Sequence, residues 1–219
     1  MLVSTRQRVS STFERWGPTA FVLGGIGLFG TSVVGGLDVA GVADAAPRLA
    51  MGPLLFGLWF VFVGLLGFDR HVADASPKLA RGGRWTVGVA WLVWTATLVA
   101  ALAVDLTTGR TFASPGSWGP PLLTVAFVLA LLGFLCYGVA SVRTERPSRT
   151  VGFLLLLPVV AFFGQAALLA SKILTGEVVA TLQLAFGAVI AVALIAVGYS
   201  LRSRSDDPAT ATAGVDTTT

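Results

Sequence analysis

The sequence predicts an all-α protein: a polytopic transmembrane bundle of six helices, with both termini on the cytoplasmic side. Three observations predict it. The composition is 55% hydrophobic and only 12% charged, with mean hydropathy +0.83, whereas a soluble domain carries about 25% charged residues. Apolar runs long enough to cross a hydrocarbon core of about 30 Å, which takes roughly 20 helical residues, recur six times. The basic residues fall overwhelmingly on alternate connections between those runs.

The runs lie near 18–37, 49–68, 85–104, 120–142, 151–171 and 178–201. Each must be helical. A backbone amide in lipid has to pair within its own segment or in a closed barrel, and barrel strands are about 10 residues long and alternate in polarity. These runs are about twice that length and apolar all round. The second opens "GPLLFGLWF" and the fourth "GPPLLTVAF", and both close on "LLGF". A proline at the first helical position is expected there, where a missing amide costs nothing. The shared endings also raise a duplicated hairpin, helices 1–2 repeated as 3–4, although Leu-rich helices often match by chance. Residues 1–17 form a short cytoplasmic segment, 18–201 the membrane domain, and 202–219 a disordered cytoplasmic tail with no large apolar residue to bury. The first run also resembles a secretory signal, with "VADAAP" offering an A-x-A cleavage site. Its apolar stretch exceeds the usual signal core of about 7–15 residues, so a retained helix is expected.

Orientation follows from charge. Lys and Arg collect on cytoplasmic flanks of membrane helices, most reliably in short loops. Twelve of the fifteen lie in the N-terminal segment, the second-to-third connection, the fourth-to-fifth connection and the C-terminal tail; Arg48, Arg110 and Lys172 fall on the other side. "RTERPSR", holding Arg143, Arg146 and Arg149, is read as a cytoplasmic anchor at lipid headgroups. This places the protein in the cell membrane. The net charge of +4 is dispersed rather than gathered in a patch, so no nucleic-acid partner is expected.

Packing and polar residues supply the functional clues. Ala20, Gly24, Gly27, Thr31 and Gly35 form one small-residue stripe on the first helix. Such stripes let helices approach closely where lipid gives no hydrophobic drive. The stripe serves packing within the bundle or, alternatively, a homo-oligomer or protein partner. Trp16, Trp85 and Trp118 sit at interfaces, while Trp91 and Trp94 are deeper and share a face.

Intramembrane polar residues are costly and tend to serve a purpose. Gln165 and Gln183 sit roughly 9–10 Å below the outer boundary, at 1.5 Å per residue, in helices joined by "SKILTGEVV". They are read as a hydrogen-bonded helix staple beneath a Lys172–Glu177 pair. The functional alternative is an outward-facing polar pocket that also includes Asp105 and Arg110. Pro158 would weaken the fifth helix. His71, Asp69 and Asp74 in "FDRHVAD" read as solvated loop charge, too few for a metal site. Cys136 reads as a small buried hydrophobe. No catalytic, cofactor-binding or metal-ligating motif is evident. The expected function is a non-enzymatic accessory or scaffold protein without cofactor, surrounded by membrane lipid; the alternative is a small-solute transporter or channel using the pocket between helices 5 and 6.

Overall fold

The computed structural model describes residues 2–39, 46–108, 119–170 and 176–205. Those residues form six helices: α1 Leu2–Val39, α2 Ala46–Ala73, α3 Pro77–Thr108, α4 Gly119–Thr144, α5 Arg149–Ala170 and α6 Gly176–Ser205. All six are long and apolar enough to cross a membrane. Half or less of each span is buried inside the bundle. The remainder turns large apolar side chains outward, among them Ile26, Phe56, Leu92, Val125, Phe153 and Val192. A soluble monomer rarely shows contiguous apolar surface beyond a few hundred Å², so this exterior suits lipid and the chain is compatible with a multi-pass membrane protein.

Each helix packs on the next, and α6 returns to α1, closing a ring in chain order; α2 and α4 also touch across it. The seams are set by glycine. A Cβ on Gly27 would lie 2.7 Å from the Gly57 Cα, and one on Gly24 would lie 3.0 Å from the Gly57 carbonyl oxygen. These contacts bring the backbones of α1 and α2 together. On the opposite side of α1, a Cβ on Gly25 would stand 2.7 Å from the Ala191 carbonyl oxygen, and one on Gly198 would stand 2.6 Å from that of Pro18. Helix α1 is therefore gripped on two faces, by α2 and by α6. The small-residue stripe is consumed inside the bundle: Ala20 is buried, and Gly24 and Gly27 face α2. This is the packing within the bundle expected of the stripe for Ala20, Gly24 and Gly27; Thr31 is half-buried, and the surroundings of Gly35 lie outside the described residues.

Several helix boundaries differ from expectation. Pro53 lies inside α2 rather than at its start, since the helix begins at Ala46; Pro120 and Pro121 do sit in the first turn of α4. Helices α2 and α3 also extend beyond their apolar runs, to Ala73 and from Pro77. Polar and charged residues at a bundle end can continue a helix when one face still packs. Likewise α1 begins at Leu2, so residues 2–17 are helical and continuous with the apolar stretch. The two "LLGF" endings do similar work. Gly67 meets Gly17 of α1, Gly133 meets Val87 of α3, and Phe68 and Phe134 are both buried.

The α4–α5 connection shows how "RTERPSR" stops one helix and starts the next. Glu145 takes φ 58°, the left-handed conformation that ends many helices. The Ser148 side chain then caps α5, its Oγ accepting from the Val151 amide at 3.2 Å. Arg149 pairs with Glu145 at 2.6 Å, and both are exposed, so this pair contributes only a few tenths of a kcal/mol. Arg143 and Arg146 are exposed as well, and Arg143 lies in the last turn of α4, where a cation suits the helix dipole.

Candidate functional site

A buried polar cluster ties α2, α3 and α4 together at the end of the bundle that carries the 74–76 turn. Ser76 precedes Pro77, and the Ser76 carbonyl accepts from the Ala80 amide at 3.0 Å, opening α3. This tight turn sets α2 and α3 antiparallel, and Asp69 and Arg84 lie at comparable distances on either side of it. Asp69 is 4% exposed. The Arg84 Nε–H donates to Asp69 Oδ2 at 2.9 Å, and Arg84 Nη2 donates to the same oxygen. The Tyr137 hydroxyl, from α4, donates to Oδ1 over a long 3.4 Å.

The surroundings are built to hold this geometry. Tyr137 is fully buried. Its ring meets Phe68 edge to face at 5.8 Å and packs against Gly83, where a Cβ would come within 2.9 Å of it. Phe68 in turn stacks on His71. The Arg84 side chain is 62% exposed. Its Nε and Nη2 edge covers the carboxylate while the rest of the side chain is exposed. A buried carboxylate without a partner would be expensive; here the guanidinium and the phenol satisfy both its oxygens. One turn beyond Tyr137, the fully buried Ser141 hydroxyl has no hydrogen-bond partner among the described residues.

Asp69 corrects the sequence reading. It is not solvated loop charge but a helical residue inside the bundle, because α2 continues past its apolar run. His71 and Asp74 are exposed, as expected for that segment. The signal that marks the pair is opposite charge on the two helices flanking a short turn.

The tryptophans of α2 and α3 pack against each other. Trp59 and Trp91 rings lie 6.4 Å apart, Trp94 meets Phe62 at 6.2 Å, and Trp94 Nε1–H donates to the Leu55 carbonyl at 3.2 Å. Trp16 is exposed at the start of its span, Trp85 is exposed but lies within the span Pro77–Ala101, and Trp118 lies outside the described residues.

The polar pocket foreseen between α5 and α6 falls largely outside the described part. Gln165 is half-buried on α5. Gln183 and Glu177 lie on α6 and Asp105 on α3, but their side chains are outside the described residues, as are Lys172 and Arg110 altogether. Their convergence is therefore not on view.

A partly open apolar cavity of about 200 Å³ lies between α1, α2, α4, α5 and α6. Phe62, Phe127, Phe134, Pro158, Ile190 and Leu194 supply much of its wall. Thr31 and Ser32 also border it, but their hydroxyls donate to carbonyls of α1 itself, of Gly27 and Leu28, each at 3.1 Å. Sequence reasoning singled out Pro158 and Thr31 but missed the cavity, which depends on how five helices meet rather than on any local pattern. No protein-family model, curated protein or solved structure matches the chain, so its functional reading rests on this geometry.

Proposed function

We propose that the chain is a non-enzymatic accessory or scaffold protein of the cell membrane, spanning it six times with both termini in the cytoplasm. The observation that supports this reading is the apolar lining of the cavity between α1, α2, α4, α5 and α6. A pathway for a polar solute needs groups that replace its water, such as carbonyl rings or charged side chains, and a proton relay uses ionisable side chains deep in the bundle. The central wall offers neither. Asp69 is the buried charge among the described residues, and it is held by Arg84 and Tyr137 near one end. The cytoplasmic placement of the termini is supported by the exposed Lys78, Arg81, Arg143 and Arg146 around the 74–76 and 145–148 connections.

Reconstitution into liposomes tests this. The full chain is expected to leave the flux of ions, sugars and amino acids at the level of empty vesicles. Copurification in mild detergent is expected to retain a protein at fixed stoichiometry. A protein-dependent flux that falls with Gln165→Leu and Gln183→Leu would overturn the accessory reading and restore the transporter.

A further inference from the structure

The central cavity has a physical problem that its surroundings can solve. At about 200 Å³ it exceeds the engineered apolar cavity of roughly 150 Å³ that stays dry and takes up benzene. Water would not fill it, because a buried water needs two to four polar partners. The hydroxyls of Thr31 and Ser32 are engaged with their own helix. The cavity is partly open, and wherever it stays empty its lining forfeits dispersion contacts. The remedy is a hydrocarbon occupant, and a bilayer supplies hydrocarbon chains at very high local concentration.

The seams suggest where such a chain enters. The α1–α6 and α4–α5 seams are closed by glycines with no room to spare: a Cβ on Gly25 or Gly138 would meet its neighbour at 2.7 Å. At Gly164, between α5 and α6, an added Cβ would meet only Phe186, at an ordinary 3.9 Å. On this side the cavity is walled by Pro158 of α5 and by Gly187, Ile190 and Leu194 of α6. Pro158 lacks the amide that would bond the Leu154 carbonyl, so α5 is weakest where it borders the cavity. Val160 and Phe163 of α5 and Val189 and Val192 of α6 are exposed apolar side chains.

We propose that the acyl chain of a membrane lipid enters between α5 and α6 and occupies the central cavity, its headgroup remaining at the membrane surface. The site takes hydrocarbon and nothing charged. The proposal rests on membrane placement and is independent of the accessory role.

The test is photolabelling of the full chain in phosphatidylcholine vesicles, with a diazirine on one acyl chain and peptide mapping of the adducts. Adducts are expected on lipid-facing residues such as Phe153 and Val192, and also on the cavity residues Phe127, Phe134 and Ile190. Ala130→Leu, which projects bulk from the cavity wall, should abolish the interior adducts and leave the surface ones. Ile190→Phe should do the same by a different substitution, and the retained surface adducts report that each variant is still inserted. A parallel arm uses a free diazirine alkane. Interior adducts from the alkane but none from the phospholipid would overturn a lipid source. Surface adducts alone, or interior adducts that persist in both variants, would overturn the occupied cavity. Absence of surface adducts would overturn membrane placement, and the proposal with it.

Discussion

Arg84→Leu is expected to destabilise the bundle by roughly 3 kcal/mol, the low end of the ~3–5 kcal/mol typical of breaking a buried pair. The low end applies because the guanidinium is largely exposed and water screens part of its attraction. The loss arises from what remains: Asp69, buried at 4% exposure, would keep only the long Tyr137 hydrogen bond at 3.4 Å. Removing both charges removes that orphan. The double variant Asp69→Leu/Arg84→Leu is therefore expected to be more stable than Arg84→Leu alone. Asp69→Asn, which keeps an acceptor for Arg84, should cost less than Arg84→Leu. Thermal unfolding of the purified protein in detergent, compared across the three variants, checks the order. An Arg84→Leu variant at least as stable as the double variant would show that Asp69 is not truly desolvated.

Gly27→Ala should be the costliest of the minimal substitutions in the α1–α2 seam. The new methyl would stand 2.7 Å from the Gly57 Cα and 3.0 Å from the Pro53 carbonyl oxygen. Both neighbours are backbone and cannot rotate aside. The two helices must part, at a cost of about 1–3 kcal/mol by analogy with overpacked cores. Gly88 is the control, because a Cβ there meets nothing within 4 Å. Gly88→Ala should leave stability unchanged or raise it by up to about 1 kcal/mol, the difference in helix propensity. The same unfolding assay measures both, and equal effects would argue against close α1–α2 contact.

The six helices could be read from the sequence because each apolar run carries its own signal of length and hydropathy. The glycines of α1 were legible in the same way, since spacing alone put Ala20, Gly24 and Gly27 on one stripe. What spacing could not supply was the neighbour: only the packed ring reveals that the stripe meets α2 and that Gly25 faces α6. Asp69 escaped for a related reason. Hydropathy ends the second run at Phe68, but the helix continues because its next turn still packs against Tyr137 and Val72 remains buried. A charge just past an apolar run looks like loop, and its burial depends on Arg84 and Tyr137, distant in sequence. The cavity is further still from any local signal, since its wall draws on residues from Leu28 to Leu194.

Thiol accessibility tests the six-span threading most directly. In a Cys136→Ser background, Ser114→Cys is placed in the third-to-fourth connection and Thr150→Cys at the start of α5. A membrane-impermeant maleimide added to intact cells should label Ser114→Cys, and should reach Thr150→Cys only after permeabilisation. Labelling of Thr150→Cys in intact cells, with Ser114→Cys protected, would contradict the orientation and the assignment of the basic connections to the cytoplasm.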